Sequence, residues 1–176
     1  DIDNCLYPPS SGIMADMGAR IHAYFKSMGL DDDEAETLHK HYYAEYGLAI
    51  RGLVMHHDVD PLDFDLKVDR AIPLESLLTP DPDLHELIRS MKPSVKIWAL
   101  TNAGVHHAER VLRILGVRDL FQGITSCDYS TPDFPCKPES RFYEQALTEA
   151  GASPTTRCYF ADDSPANIDG AQKMGW

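Results

Sequence analysis

At 176 residues, with 43% apolar and 25% charged side chains, the chain is long enough to bury a core and too apolar to be disordered. Its 28 acidic and 16 basic side chains give a net charge of −12, which argues against a nucleic-acid polymer as partner. No apolar run reaches the roughly 18 residues of a membrane-spanning helix, so no membrane is expected as partner either. A small phosphate-bearing molecule stays compatible with the charge, because a bound divalent cation reverses the sign locally.

The first half reads helical. Ile13, Met14, Met17, Ile21, Phe25 and Met28 recur at three- and four-residue steps, with Gly29 placed to close the helix. Asp31 to Asp33 offer an N-cap for a second helix that runs through Leu38, Tyr42 and Tyr43 to Gly47. A third apolar pattern passes through Leu62, Leu66 and Val68, and Pro73 and Pro80 punctuate the stretch beyond it.

The second half alternates. Strands are predicted over 96–100, 123–127 and 157–161. Helices are predicted over 105–115, 141–150 and 166–174, the first two closed by Gly116 and Gly151. Such alternation specifies an α/β fold with a parallel sheet covered by helices on both faces, in which ligands gather beyond the carboxyl ends of the strands. Thr101-Asn102 and Asp162-Asp163 fall at those ends.

Cys5, Cys127, Cys136 and Cys158 show no C-x-x-C spacing, so free thiols in a reducing compartment, cytoplasmic or nuclear, are expected. The pairs His56-His57 and His106-His107 lack the spacing of a metal motif, and surface or structural roles are expected for them.

Four short motifs carry chemistry. Asp1-Ile2-Asp3 places two carboxylates where one pocket can collect them, a nucleophile beside a general acid/base, although acidic surface loops also show this pattern. At Thr101-Asn102 a hydroxyl and a main-chain N–H can hold phosphate oxygens, and turn chemistry accounts for the pair equally well. Lys137 in Lys137-Pro138 can neutralise phosphate charge, as any solvated lysine can. Asp162-Asp163-Ser164 ends a predicted strand. Two adjacent carboxylates there repel unless a cation is near, and hard oxygen donors favour magnesium, while helix capping is the competing role for Asp163 and Ser164.

Taken in order, the four motifs resemble those of the haloacid-dehalogenase (HAD) superfamily across nearly the whole chain. The resemblance implies a Rossmann-like HAD core, residues 1–9 and 81–176, with an inserted helical cap over 10–80. Asp1 is similar to the family's nucleophile and Asp3 to its general acid/base. Thr101, Asn102 and Lys137 correspond to phosphate-binding positions, with Lys137 steadying the nucleophile. Asp1, Asp3 (through its carbonyl), Asp162 and Asp163 correspond to the Mg2+ site. A second aspartate at Asp3 favours phosphoester hydrolysis over dehalogenation. In the family an apolar strand precedes the nucleophile and a further strand follows the position of Trp176, so the chain reads as a fragment whose core is incomplete at both ends.

More closely, residues 1–7, Tyr42 to Leu53 and Cys127-Asp-Tyr-Ser130 resemble the fungal branch of the pyrimidine 5′-nucleotidases. That implies a nucleoside monophosphate, UMP or CMP, as the small-molecule partner, with Tyr46 and Arg51 as candidate cap contacts. A cap-core tyrosine and an arginine paired with a cap acid are the competing roles for these two. The rival functions are a phosphatase for another small metabolite, such as a sugar phosphate or lysophospholipid, and a catalytically silent HAD-fold binding protein. The sequence does not set the oligomeric state.

Overall fold

The computed structural model describes residues 1–131 and 133–176. Capping sets the helices of the first half. Helix α1 spans Ile13–Ser27, and Gly29 follows it with a left-handed φ of 96°. Helix α2, Asp32–Tyr46, begins with a complete capping box. The Asp31 carboxylate accepts from the Glu34 N–H, and Glu34 accepts from the Asp31 N–H.

Gly47 ends α2 at φ 74°, as expected, and the chain turns at once into α3, Ala49–His56, a helix that the sequence reading does not predict. Helix α4 is Pro61–Lys67, capped by Asp60. Its buried face is Phe64, Asp65 and the following Val68, whereas Leu62 and Leu66 are 49% and 61% exposed. The expected Leu62–Leu66 stripe is thus corrected: it sits a quarter-turn or more off the packed face. Two short helices, α5 (Leu74–Leu77) and α6 (Pro82–Arg89), complete the first half.

Strand β1 is Trp98–Gly104, helix α7 Val105–Ile114, and strand β2 Gly123–Cys127. The strands pair in parallel from Trp98↔Gly123 to Thr101↔Ser126, and the register then slips to Gly104↔Cys127. Asn102 and Ala103 occupy that irregularity, which re-aims side chains at the sheet's carboxyl end. Helices α8 (Ser140–Glu149) and α9 (Pro165–Lys173) follow.

Alternate residues of β1 face opposite layers. Ala99 packs with Ile2, Leu74, Ile88, Val111 and Leu112, on the side of α5 to α7. Leu100 packs with Phe142, Tyr143 and Cys127 and is continuous with Phe25, Ile50, Leu53 and Phe64 of helices α1, α3 and α4. Burial on both faces is the signature of a layered α/β core. Each fully buried Phe, Ile or Leu of these clusters contributes about 1.5–3 kcal/mol.

The strand expected over 157–161 does not form. Among the described residues the sheet has two strands, and Tyr159 is 84% exposed. A strand needs a neighbouring backbone to bond to, and here the contact is a single one, from the Asp1 main-chain nitrogen to the Ala161 carbonyl at 2.8 Å. All four cysteines are free thiols, and no described helix is long and apolar enough to cross a membrane.

Candidate active site

The first seven residues form a tight turn in which Cys5 and Leu6 N–H both donate to the Ile2 carbonyl, at 3.2 and 2.9 Å. Ile2 is fully buried and anchors the turn, while Asn4 takes a left-handed φ of 57°, a conformation asparagine tolerates. Asp1 and Asp3 therefore reach the same cavity, of about 370 Å³, as do Thr101, Asn102, Lys137 and Asp163. A volume of that order suits a small ligand.

Lys137 is the hub. It is 1% exposed, and its Nζ lies 2.8 Å from Asp1 Oδ1, 2.6 Å from Asp162 Oδ2 and 3.1 Å from the Leu100 carbonyl, to each of which it donates. A buried ammonium is stable only when compensated in this way. The Lys137–Pro138 peptide is cis.

Asn102 holds the lysine's main chain. Lys137 N–H donates to Asn102 Oδ1 at 2.7 Å, and Asn102 Nδ2 donates back to the Lys137 carbonyl at 3.0 Å. The side chain of Asn102 is thereby occupied, which leaves its main-chain N–H, the group expected to meet phosphate, for such a role. Thr101, 1% exposed, accepts from the Ala103 N–H at 3.1 Å. Gly47 packs against this joint: a β-carbon there would lie 2.5 Å from the Lys137 carbonyl, and its φ of 74° disfavours other residues.

Asp162 and Asp163 diverge. The Asp162 side chain is fully buried, with Lys137 on one oxygen and the Ser164 N–H and Asn167 Nδ2, both at 2.9 Å, on the other. It is thus corrected from metal ligand to lysine partner. Asp163 faces outward, accepting from Asn4 Nδ2 at 3.0 Å.

The acidic and thiol donors of Asp1, Cys5 and Asp163 lie within 4.8 Å of one another. Two carboxylates at that spacing fit a hard divalent cation. Cys5 fits it poorly. Burial and the neighbouring Asp162 and Asp163 push its thiol up, and the neutral S–H points to Asp1 Oδ2 at 3.9 Å. The Asp3 carboxylate lies outside this donor group.

Asp3 is instead embraced by two residues that belong to none of the four motifs. Tyr7 O–H donates to Asp3 Oδ1 at 2.5 Å, and His107 Nε2 lies 2.7 Å from the same oxygen. Burial alone would raise the Asp3 carboxyl, but the charge and hydrogen bond of His107, then the bond from Tyr7, hold it below its usual range. Burial likewise opposes charge on His107, and Asp3 outweighs it, raising the imidazole. His107 is fully buried at the start of α7, so of its expected surface or structural roles the surface one is corrected. Its signal in the sequence was faint: it sits on the apolar face with Ala108, Val111 and Leu112. Next to it, Asp69 is 4% exposed and accepts from Tyr129 O–H at 3.2 Å.

Tyr46 and Arg51 do not line the cavity. Tyr46 bonds His56 at 2.7 Å. Arg51 is buried against the Phe134 ring, 5.5 Å from its centre, and pairs with Asp133 and Glu139. Those acids belong to the β2–α8 segment. Helices α1, α2 and α4 line the cavity instead with Met14, Met17, Ile21, His39, Tyr43 and Phe64. Tyr46, the last residue of α2, is turned to His56, whereas Tyr43, one turn earlier, lines the cavity.

Over residues 1–175 the chain matches the family model described as haloacid dehalogenase-like hydrolase. It is also similar to Phosphate metabolism protein 8 of Saccharomyces cerevisiae (strain ATCC 204508 / S288c), 40% identical over 185 residues. That alignment covers 99% of this chain and 58% of the yeast protein, so the chain spans little more than half the length of this curated relative.

Proposed function

This chain belongs to the haloacid dehalogenase-like hydrolases, and we propose that it is the catalytic part of a phosphomonoesterase that works through an aspartyl-phosphate on Asp1. The observation that carries the reading is the position of Asp1. Its Oδ1 is bonded to the buried Lys137 ammonium, and Asp3 lines the same cavity two residues on. In the first half-reaction a carboxylate oxygen of Asp1 attacks phosphorus and the ester P–O bond breaks; Asp3, whose protonation the negative charge of the bound ester favours against the pull of His107 and Tyr7, gives its proton to the leaving alcohol. In the second half, water attacks the phosphoryl group, Asp3 takes a proton from it, and the bond from phosphorus to Asp1 breaks. Lys137 offsets the negative charge gathered at the phosphoryl group, as Thr101 and the Asn102 N–H can by hydrogen bonding.

Asp1 and Asp163, with the Asp3 carbonyl, would hold the magnesium ion. A divalent cation there neutralises phosphoryl charge and aligns the substrate. The name of the yeast relative, a protein of phosphate metabolism, fits this chemistry.

For the substrate, the reading is a pyrimidine nucleoside 5′-monophosphate. The resemblance of residues 42–53 supports it, and so does the cavity, whose lining joins the flat rings of Tyr43 and His39 and the apolar Met17, Ile21 and Phe64 to Asp1, Thr101 and Lys137. The deciding experiment is phosphate release from a panel of nucleotides, sugar phosphates and lysophospholipids, by the full-length protein with magnesium. Preference for UMP and CMP, lost in Asp1→Asn, is expected. Preference for a sugar phosphate or lysophospholipid overturns the substrate, and no hydrolysis of any ester overturns the enzyme.

A further inference from the structure

Both hydrogen-bond donors that reach the Asp3 carboxylate reach the same atom. Tyr7 O–H is 2.5 Å and His107 Nε2 2.7 Å from Oδ1, and among the described residues no donor bonds to Oδ2. Both donors are rigidly placed. Tyr7 is 4% and His107 0% exposed, and each stands beside an anchored apolar neighbour, Leu6 or Ala108, in the cluster built on Ile2 and Leu112. His107 Nδ1 is buried without a partner, so the ring's one hydrogen bond is the one to Asp3. Oδ1 accepts from Tyr7 and, with any proton of the carboxyl on Oδ2, carries no hydrogen of its own, so Nε2 is the donor in that contact.

We propose that Tyr7 and His107 are positioning residues that fix the Asp3 carboxyl so that Oδ2 alone carries the proton to and from the reacting oxygens. The inference rests on the phosphatase reading above. With Oδ1 holding two donors, a proton on that atom would have to displace one of them. Oδ2, free of protein donors, keeps its lone pairs for the proton. In the first half-reaction the proton on Oδ2 passes to the leaving oxygen as the P–O bond breaks, and Oδ1 remains the acceptor of both hydrogen bonds. In the second, the attacking water returns a proton to Oδ2. The carboxyl therefore need not rotate between the two halves, and its syn or anti geometry is set before substrate arrives.

The test uses the need for a proton as its readout. An alkyl leaving group such as a nucleoside 5′-oxygen requires protonation, whereas a nitrophenolate departs without it. The ratio of kcat/KM for UMP to that for p-nitrophenyl phosphate is measured for the full-length wild type, Tyr7→Phe and His107→Gln. A looser Asp3 should lower that ratio by about 10-fold in Tyr7→Phe, a fraction of the 10²–10⁴-fold that a general acid contributes. His107→Gln retains an N–H donor and should lower it less. In an Asp3→Asn background, Tyr7→Phe should change the ratio no further, since no proton carrier is left to position.

Equal losses on both esters would reduce Tyr7 and His107 to supports of the fold and overturn the proposal, as would an unchanged ratio. A further drop of the ratio in the Asp3→Asn background would also overturn it. These failures differ from failure of the phosphatase reading, in which the wild type itself would hydrolyse neither ester. Should Tyr7→Phe fold poorly, His107→Gln and His107→Leu, the second without a donor, carry the same comparison, and the ratio should fall further in His107→Leu.

Discussion

The side chain of Asn102 grips the main chain of Lys137 on both sides, accepting from its N–H at 2.7 Å and donating to its carbonyl at 3.0 Å. This two-point contact ties the carboxyl end of β1 to the loop before α8. It places the Lys137 ammonium between Asp1 and Asp162. Asn102→Ala removes both bonds and leaves a partly buried N–H and C=O without partners. The expected cost is about 2–4 kcal/mol of stability for the two groups together. The expected loss of kcat is on the order of 10-fold or more, because a lysine displaced by an ångström misplaces its charge. Urea denaturation and phosphate-release kinetics on the same variant check both halves. Loss of stability with unaltered kcat would show that Lys137 finds its place without Asn102.

Metal dependence should localise to Asp163. Chelation is expected to abolish phosphate release and added magnesium to restore it. Asp163→Ala should raise the magnesium concentration for half-maximal activity at least 10-fold, whereas Asp119→Ala, in the turn after α7 and outside the cavity, should leave it unmoved. Asp162→Asn should behave differently from both. Its carboxylate faces Lys137, so lost activity should not be recovered by more magnesium.

Substrate choice should follow Tyr43 and not Tyr46 or Arg51. Tyr43 is 57% exposed at the cavity while Tyr46 is turned to His56. Tyr43→Ala should lower kcat/KM for UMP by roughly 10-fold and spare a small aryl phosphate, as expected for one lost stacking or hydrogen-bonding contact. Arg51→Met should leave both KM values in place and lower Tm by roughly 3–8 °C, because its partners are structural acids. A KM effect confined to Arg51→Met would return that residue to the substrate.

Stability should carry the mark of Asp69. Burial lifts its carboxyl from 3.8 to about 6, with His107 opposing and Asp65 adding to the shift. The folded state then binds the proton more tightly than the unfolded chain does. The contribution is therefore present in full below about pH 4 and lost as pH rises through the window to about 6. Relative to Asp69→Asn, the wild type should lose on the order of 3 kcal/mol across that window. Denaturant midpoints of the two proteins at pH 4 and pH 7 measure it, and parallel profiles would mean that Asp69 is solvated as freely folded as unfolded.

The sequence by itself determined much of this molecule through local rules. The capping box at Asp31, the glycines closing α1, α2, α7 and α8, and the alternation around β1 and β2 are near-neighbour effects, and all could be read in order. The short motifs also marked Asp1, Thr101, Lys137 and Asp163, four residues that the fold brings to one cavity. Tertiary structure decided what contacts those groups make. Asp162 and Asp163 are adjacent in sequence, yet one is sealed against a lysine and the other faces the cation-sized gap beside Asp1. His107 reads as part of an apolar helix face and becomes the partner of Asp3 only when α7 packs against the turn at residues 1–7, 104 residues away in sequence. Tyr43 lines the cavity where Tyr46 was expected, because the packing of α2 against α1 and α3, not the tyrosines themselves, sets which residues reach it. Residues 157–161 carry strand-like composition and form no ladder, since a β-strand is defined by its neighbour's hydrogen bonds, which no single segment encodes.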